Sequence, residues 1–184
     1  MLKVITGNPG TGKHTIAKLV SKRLDLELID INKVAISEGV FEKRKDTLDV
    51  DVKKLKKIID KIGTRNSLLV GHLAPYVISK KNTEIVIVLR KSPYKLQNIY
   101  KKRGYAKKKA IENLGSEILG ITYYDTIRAI GRRKTCQVDT SDRSIPLTAN
   151  KVESIFCGIK SREDNVDWLQ LVKKNGDMQK FFSY

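Results

Sequence analysis

The sequence predicts an α/β fold, a parallel five-stranded sheet with helices on both faces. Three observations predict it. Short apolar runs alternate with stretches of helical periodicity along all 184 residues, the pattern of strand–helix–strand units. The run Glu84 to Leu89 is continuous and β-branched, as in a strand covered on both faces. A Gly-rich turn also separates the first strand from the first helix, at the strand end where such sheets hold ligands.

Leu2, Val4 and Ile5 form the first strand, and the helix after the turn carries Ile16, Ala17, Leu19 and Val20 on one side. Leu26, Leu28 and Ile29 make a second strand ending at Asp30. The polar stretch 32–51 is too irregular for one element. Val52, Leu55, Ile58, Ile59 and Ile62 space as an amphipathic helix closed by Gly63. Leu68 to Val70 and Glu84 to Leu89 are the third and fourth strands. Ser92 and Pro93 open a helix bearing Leu96, Ile99 and Tyr100. Ile111, Leu114, Ile118 and Ile121 predict one long helix. Thr135 to Asp139 reads as the last strand, and Val152, Ile155, Phe156 and Ile159 as the last helix. Trp168, Leu169 and Val172 pack a short C-terminal segment. No repeat or low-complexity tract interrupts this order.

Lys and Arg number 37 against 20 Asp and Glu, a net charge of +17, while 40% of the residues are hydrophobic. That apolar content excludes a disordered chain, and the length suits one domain, here 1–184. No apolar run approaches the ~20 residues of a membrane span. The N-terminus lacks the layout of a signal peptide, so a cytoplasmic location and no membrane partner are expected. Cys136 and Cys157 make neither a disulfide framework nor a zinc set. The lysine clusters fit three partners: nucleic acid or ribosome, phosphorylated small molecules, or water alone.

Gly7-Asn8-Pro9-Gly10-Thr11-Gly12-Lys13-His14-Thr15 follows a strand and opens a helix. Its glycines let successive backbone N–H groups face a phosphate chain, the helix dipole adds positive potential, and Lys13 reaches the outer phosphates. This is the P-loop NTPase pattern, and it makes Gly10, Gly12, Lys13, His14 and Thr15 the ATP-binding candidates. His14 stands where a Ser or Thr commonly touches Mg²⁺. It is expected to give mainly its backbone N–H, with Thr15 supplying the hydroxyl.

Further islands follow in order: Asp49-Val50-Asp51, Gly71-His72-Leu73, Val88-Leu89-Arg90, Arg103-Gly104-Tyr105 with Lys108-Lys109, and Glu112-Asn113 with Glu117. With the phosphate loop they resemble the adenylate kinase isoenzyme 6 family of archaea and eukaryotes, over about residues 2–140. Val166-Asp167-Trp168-Leu169 is a weaker echo. The Arg-Gly-Tyr element at its distance after Leu89-Arg90 makes the likeness specific. The resemblance implies an NMP-binding segment at about 30–50 that closes over the acceptor nucleotide, and a short lid at about 102–112. Arg103 takes the lid position that clamps ATP phosphates, and a planar guanidinium suits that task; an exposed helix-end cation is the alternative.

The family pattern has an acid two positions before the histidine of the third strand, where this chain has Val70. Asp30 is the nearest substitute by topology, and shikimate kinase places an Asp there to hold metal and acceptor. Asp30 reads equally as a helix N-cap, and His72 as a catalytic group or a hydrogen-bonded core residue.

The expected reaction is Mg²⁺-dependent transfer of the ATP γ-phosphoryl group to AMP, giving two ADP. Lys13, Arg103 and His72 are the catalytic candidates, Asp30 and Arg90 the acceptor-binding ones, and Thr15 and Asp30 the oxygens for Mg²⁺. Arg128, Arg132 and Arg133 join them only if their helix faces the cleft. Poor lid closure leaves a slow ATPase. The resemblance implies a rival: an ATP-dependent maturation factor of the small ribosomal subunit that binds a ribosomal protein and rRNA, which +17 favours. Another small-molecule P-loop kinase is the second alternative.

Overall fold

Alternation along the strands sends successive side chains to opposite faces, and in this chain both faces are apolar. A computed structural model describes residues 1–44, 47–159 and 163–182. Its five-stranded sheet consists of β1 (Leu2–Thr6), β2 (Glu27–Asp30), β5 (Ser67–Val70), β6 (Thr83–Arg90) and β7 (Thr135–Asp139). The order is β2-β5-β1-β6-β7 and every pairing is parallel. The remaining strands, β3 (Phe41–Arg44) and β4 (Thr47–Val50), form an antiparallel pair apart from it.

Val4, Leu69, Val86 and Val88 face one side. There they pack with Ile31 of α2 (Ile31–Ser37), Leu55 and Ile59 of α3 (Val52–Ile62), Val77 of α4 (Ala74–Val77) and Ile130 of α7 (Ile121–Ile130). Ile5, Leu68, Val70, Ile87 and Leu89 face the other side. They meet Ile16, Ala17 and Val20 of α1 (Lys13–Arg23) and Val152 and Phe156 of α8 (Ile145–Phe156). A third cluster joins Leu96 and Tyr100 of α5 (Pro93–Lys102) to Leu114 and Ile118 of α6 (Lys107–Ile118). Val172 of α9 (Trp168–Lys174) and Phe181 of α10 (Met178–Phe181) complete it.

The chain leaves β1 towards β5 and β2, then returns to β6 on the opposite side of β1. The reversal opens a crevice beyond the carboxyl end of β1. Residues 7–12 fill the bottom of it.

The stretch 32–51, expected to be too irregular for one element, is divided among α2 and the β3–β4 pair; residues 45–46 lie outside the described ones. Two expectations are corrected. The helix expected through Ile121 breaks after Ile118, because Gly120 adopts φ 67° and starts α7 afresh. Ile121 then lies exposed at the head of α7. The helix through Phe156 stops there, and Ile159 is exposed beyond it. Cys136 and Cys157 are free thiols. No helix among the described residues is long and apolar enough to cross a membrane.

Candidate phosphate-binding site

The loop after β1 is shaped by contacts that turn its carbonyls outwards. Gly7 has φ 144°, and a Cβ there would stand 2.4 Å from the Leu89 carbonyl oxygen, so no other residue fits against β6. The Pro9 carbonyl accepts from the Tyr100 hydroxyl at 2.7 Å, and the Thr11 carbonyl from Thr140 Oγ1 at 3.1 Å. The Asn8 carbonyl accepts from Thr11 Oγ1 at 2.9 Å and Lys13 Nζ at 3.3 Å. Backbone N–H groups of Gly10, Gly12, Lys13 and His14 have no acceptor among the described residues. They face a cavity of about 570 Å³ at the positive end of α1.

That cavity brings together residues distant in sequence. Gly10, Gly12, Lys13, His14, Thr15, His72 and Arg103 all line it, with Lys109 opposite. No carboxylate lines it among the described residues. Burial first, then the neighbouring Arg103 guanidinium, brings the Lys13 ammonium down to about 8, against an opposing pull from Asp30. Both histidines are held below their ordinary value. Burial is the main cause at each; Lys13 is the next at His72, while at His14 Asp30 pulls against burial before Lys13 adds to it.

Arg103 caps α5, its backbone N–H donating to the Ile99 carbonyl at 3.0 Å, while its guanidinium makes no hydrogen bond or ion pair among the described residues. The turn after it is pinned, because Tyr105 stacks on Tyr100 with ring centroids 4.9 Å apart. Lys109 lies over the Tyr105 ring at 5.3 Å. Tyr100 therefore ties the Arg103 turn to the phosphate loop through Pro9.

Asp30 fulfils its capping reading: Oδ1 accepts from the Asn32 N–H at 2.9 Å. Its Oδ2 lies 3.3 Å from His14 Nε2, so the His14 side chain also takes part. Arg90 is corrected. It is buried with Nε on Glu117 Oε1 at 2.8 Å, Nη1 on Gln137 Oε1 at 2.9 Å and Nη2 on the Glu117 carbonyl at 2.7 Å. Its guanidinium is committed to the interior and does not line the cavity. Arg128, Arg132 and Arg133 do not line it either, and Arg132 pairs with Glu163. Val70 is wholly buried among Ile5, Ile16 and Val20, so the carboxylate missing from the sequence has no replacement at that spot.

Sequence reasoning missed Tyr76, Ser116 and Thr122, and gave no role to Lys109 and Asn113. Lys109, Asn113 and Ser116 sit at i, i+4 and i+7 of α6, a polar stripe beside the apolar one. That spacing was legible; its direction was not. A second, smaller cavity of about 250 Å³ lies across the loop, lined by Thr15, Ile99, Arg143 and Ile145.

A model of the family described as AAA domain (AAA_18) matches residues 4–120. A protein of Thermococcus onnurineus named "Putative adenylate kinase" is 31% identical over 170 residues, 91% of each chain. One of the same name from Methanococcus maripaludis is 30% identical, over 92% of this chain and 96% of its own. Among solved structures, shikimate kinase from Acinetobacter baumannii in complex with shikimate superimposes with a TM-score of 0.59 at 18% identity. The match covers 86% of this chain and 94% of that one. The YorR protein of Bacillus subtilis, in complex with phosphorylated GDP, gives a TM-score of 0.60 at 18% identity, over 86% and 95%. At such identities these two speak for the fold alone.

Proposed function

The chain belongs to the AAA domain family, a P-loop kinase fold, and from that premise we propose that it transfers the γ-phosphoryl group of ATP to AMP. An oxygen of the AMP phosphate bonds to the γ-phosphorus, the bond to the β-phosphate oxygen breaks, and two ADP leave. One observation carries this reading: Lys13 and Arg103 line a cavity of open backbone N–H groups and no carboxylate. The name of its relatives supports the choice of acceptor.

The geometry performs the reaction by positioning and charge neutralisation. Loop N–H groups hold the β-phosphate, and Lys13 leaves the Asn8 carbonyl to follow the moving phosphoryl group. Arg103 closes from the lid turn to spread its charge. The donor base fits the smaller cavity between Ile99 and Ile145, beside Arg143. The acceptor enters on the His72, Tyr76 and Asn32 side, under the segment 30–50. His72, held below its ordinary value by burial and then by Lys13, offers a hydrogen bond to the acceptor phosphate. Oxygen donors suit Mg²⁺: Thr15 on the cavity wall and Asp30 Oδ2, which lies outside the lining against His14 Nε2 at 3.3 Å, are the candidates. Among the described residues no group of three or more His, Cys, Asp or Glu could hold a metal by itself, so the triphosphate would supply most ligands. Bound there, Mg²⁺ would neutralise the charge shared by the β- and γ-phosphates.

Steady-state turnover of Mg²⁺-ATP with and without AMP tests the proposal. ADP formation is expected to depend on AMP; a rate indifferent to AMP removes the kinase reading. The net charge of +17 favours a second one, ATP turnover on a ribosomal protein or rRNA, as the isoenzyme 6 resemblance implies. Recovery of rRNA with the protein at moderate salt would support it.

A further inference from the structure

The phosphate loop is held from behind by a buried carboxylate that none of the reactions above uses. Glu117 is buried on α6, and four donors converge on its two oxygens. Oε1 accepts from Arg90 Nε at 2.8 Å, the Lys91 N–H at 3.0 Å and Trp168 Nε1 at 3.1 Å. Oε2 accepts from Asn8 Nδ2 at 2.7 Å. Every partner is a donor, so an amide in place of the carboxylate must turn its NH₂ against one of them.

Asn8 is the loop residue that this fixes. Its Oδ1 accepts from Ser116 Oγ at 3.3 Å and Thr122 Oγ1 at 3.2 Å, and the side-chain amide is thereby oriented at both ends. The same residue's carbonyl holds Lys13 Nζ and Thr11. A shift of the Asn8 side chain therefore moves the resting place of the lysine ammonium.

The fourth donor comes from outside the loop's own neighbourhood. Trp168 opens α9, beyond residue 120 where the family match ends. Its helix is anchored by Val172 in the third cluster. The segment before it is anchored by Asp164, which accepts from the Asp139 N–H at 2.8 Å, Arg143 at 2.9 Å and Lys151 at 2.6 Å.

We infer that Glu117 is a positioning residue for the phosphate loop, acting through Asn8, and that the C-terminal segment is a working part of the loop because Trp168 completes the carboxylate's shell. The inference rests on the reading of residues 7–15 as a phosphate site, and its test separates the two. Trp168→Phe keeps an aromatic ring and removes the N–H donor together with the fused five-membered ring; Glu117→Gln keeps the shape and inverts one contact.

Hydrogen exchange of the nucleotide-free full chain is the primary readout. Losing one hydrogen bond is expected to speed exchange of the Thr11 and Ile16 amides, which donate to the Asn8 and Gly12 carbonyls at 3.4 and 3.1 Å, about fivefold in Trp168→Phe. Amides of α8 should keep their wild-type rates. Glu117→Gln, if it folds, shows the larger change. ATP affinity by calorimetry should fall in parallel, and emission of Trp168, the one tryptophan of the chain, should shift when ATP is added to the wild type. Loop exchange and ATP affinity both unchanged in a folded Trp168→Phe overturn the inference. So does a lowered melting temperature with no selective effect on the Thr11 and Ile16 amides. A wild type that binds no ATP removes the kinase proposal instead, while the exchange result still decides this one.

Discussion

Replacing Lys13 by Met should make the empty protein more stable while abolishing its turnover. Lys13 is buried, and its ammonium is brought from 10.5 to about 8 by burial and by Arg103. At 1.36 kcal/mol per pKa unit, holding that charge costs the fold about 3 kcal/mol. The bond from Nζ to the Asn8 carbonyl at 3.3 Å returns about 1.5 kcal/mol. Met fills the alkyl stem's volume without the charge, leaving a net gain of about 1–2 kcal/mol. For a chain of this size that is a rise of roughly 3–6 °C in Tm. The pH dependence gives the sign. The folded pKa lies below the unfolded one, so the penalty is fully present below about 8 and gone above 10.5. Calorimetry should therefore show the variant's advantage at pH 7 shrinking as pH rises through that window. Mg²⁺-ATP should raise the Tm of the wild type and leave that of the variant unmoved. A variant that is less stable than wild type at pH 7, by a margin independent of pH, refutes the electrostatic argument. An unchanged kcat refutes the site.

Arg103→Ala should leave Tm within a degree or two, since the guanidinium has no protein partner among the described residues, yet lower kcat by roughly 10²–10³; an unaltered steady-state rate would take Arg103 out of the reaction. Val70→Asp should raise Mg²⁺-dependent turnover if the missing carboxylate matters, and lower stability by about 2 kcal/mol or more, because Val70 is fully buried. A folded variant with no gain at saturating Mg²⁺ would leave Asp30 or the triphosphate as the metal's support. Burial opposes ionisation of Asp164, but Arg143 and Lys151 hold it at about 2. Its folded pKa is thus depressed, so its contribution is present above 3.8 and lost as pH falls towards about 2. Asp164→Asn should cost about 1 kcal/mol at pH 7 after solvent screening and only a small part of that at pH 2, which parallel denaturation curves at the two pH values would check.

The sheet and the loop were legible in the sequence because the signals for both are local. β-branched runs specify strands, and Gly7, Gly10 and Gly12 allow backbone angles that other residues resist. The break between α6 and α7 was harder to see, since Gly120 interrupts an apolar spacing that otherwise continues through Ile121. The irregular stretch 32–51 hid a helix capped by Asp30, whose capping contacts are local and whose approach to His14 is not.

Arg90 and Arg103 show where reading residues in order stops. Arg90 ends a buried strand and Arg103 caps an amphipathic helix, and neither position by itself says which guanidinium faces the cavity. Packing decides: Glu117, brought alongside by α6, takes Arg90 into the interior, and nothing comparable reaches Arg103. The strand–loop–helix and the phosphate chemistry it permits were settled by neighbouring residues through backbone conformation. Which charges face the cavity, and that Glu117 and Trp168 stand behind Asn8, were settled only by folding. Those pairings span 109 and 51 residues and have no short-range signature.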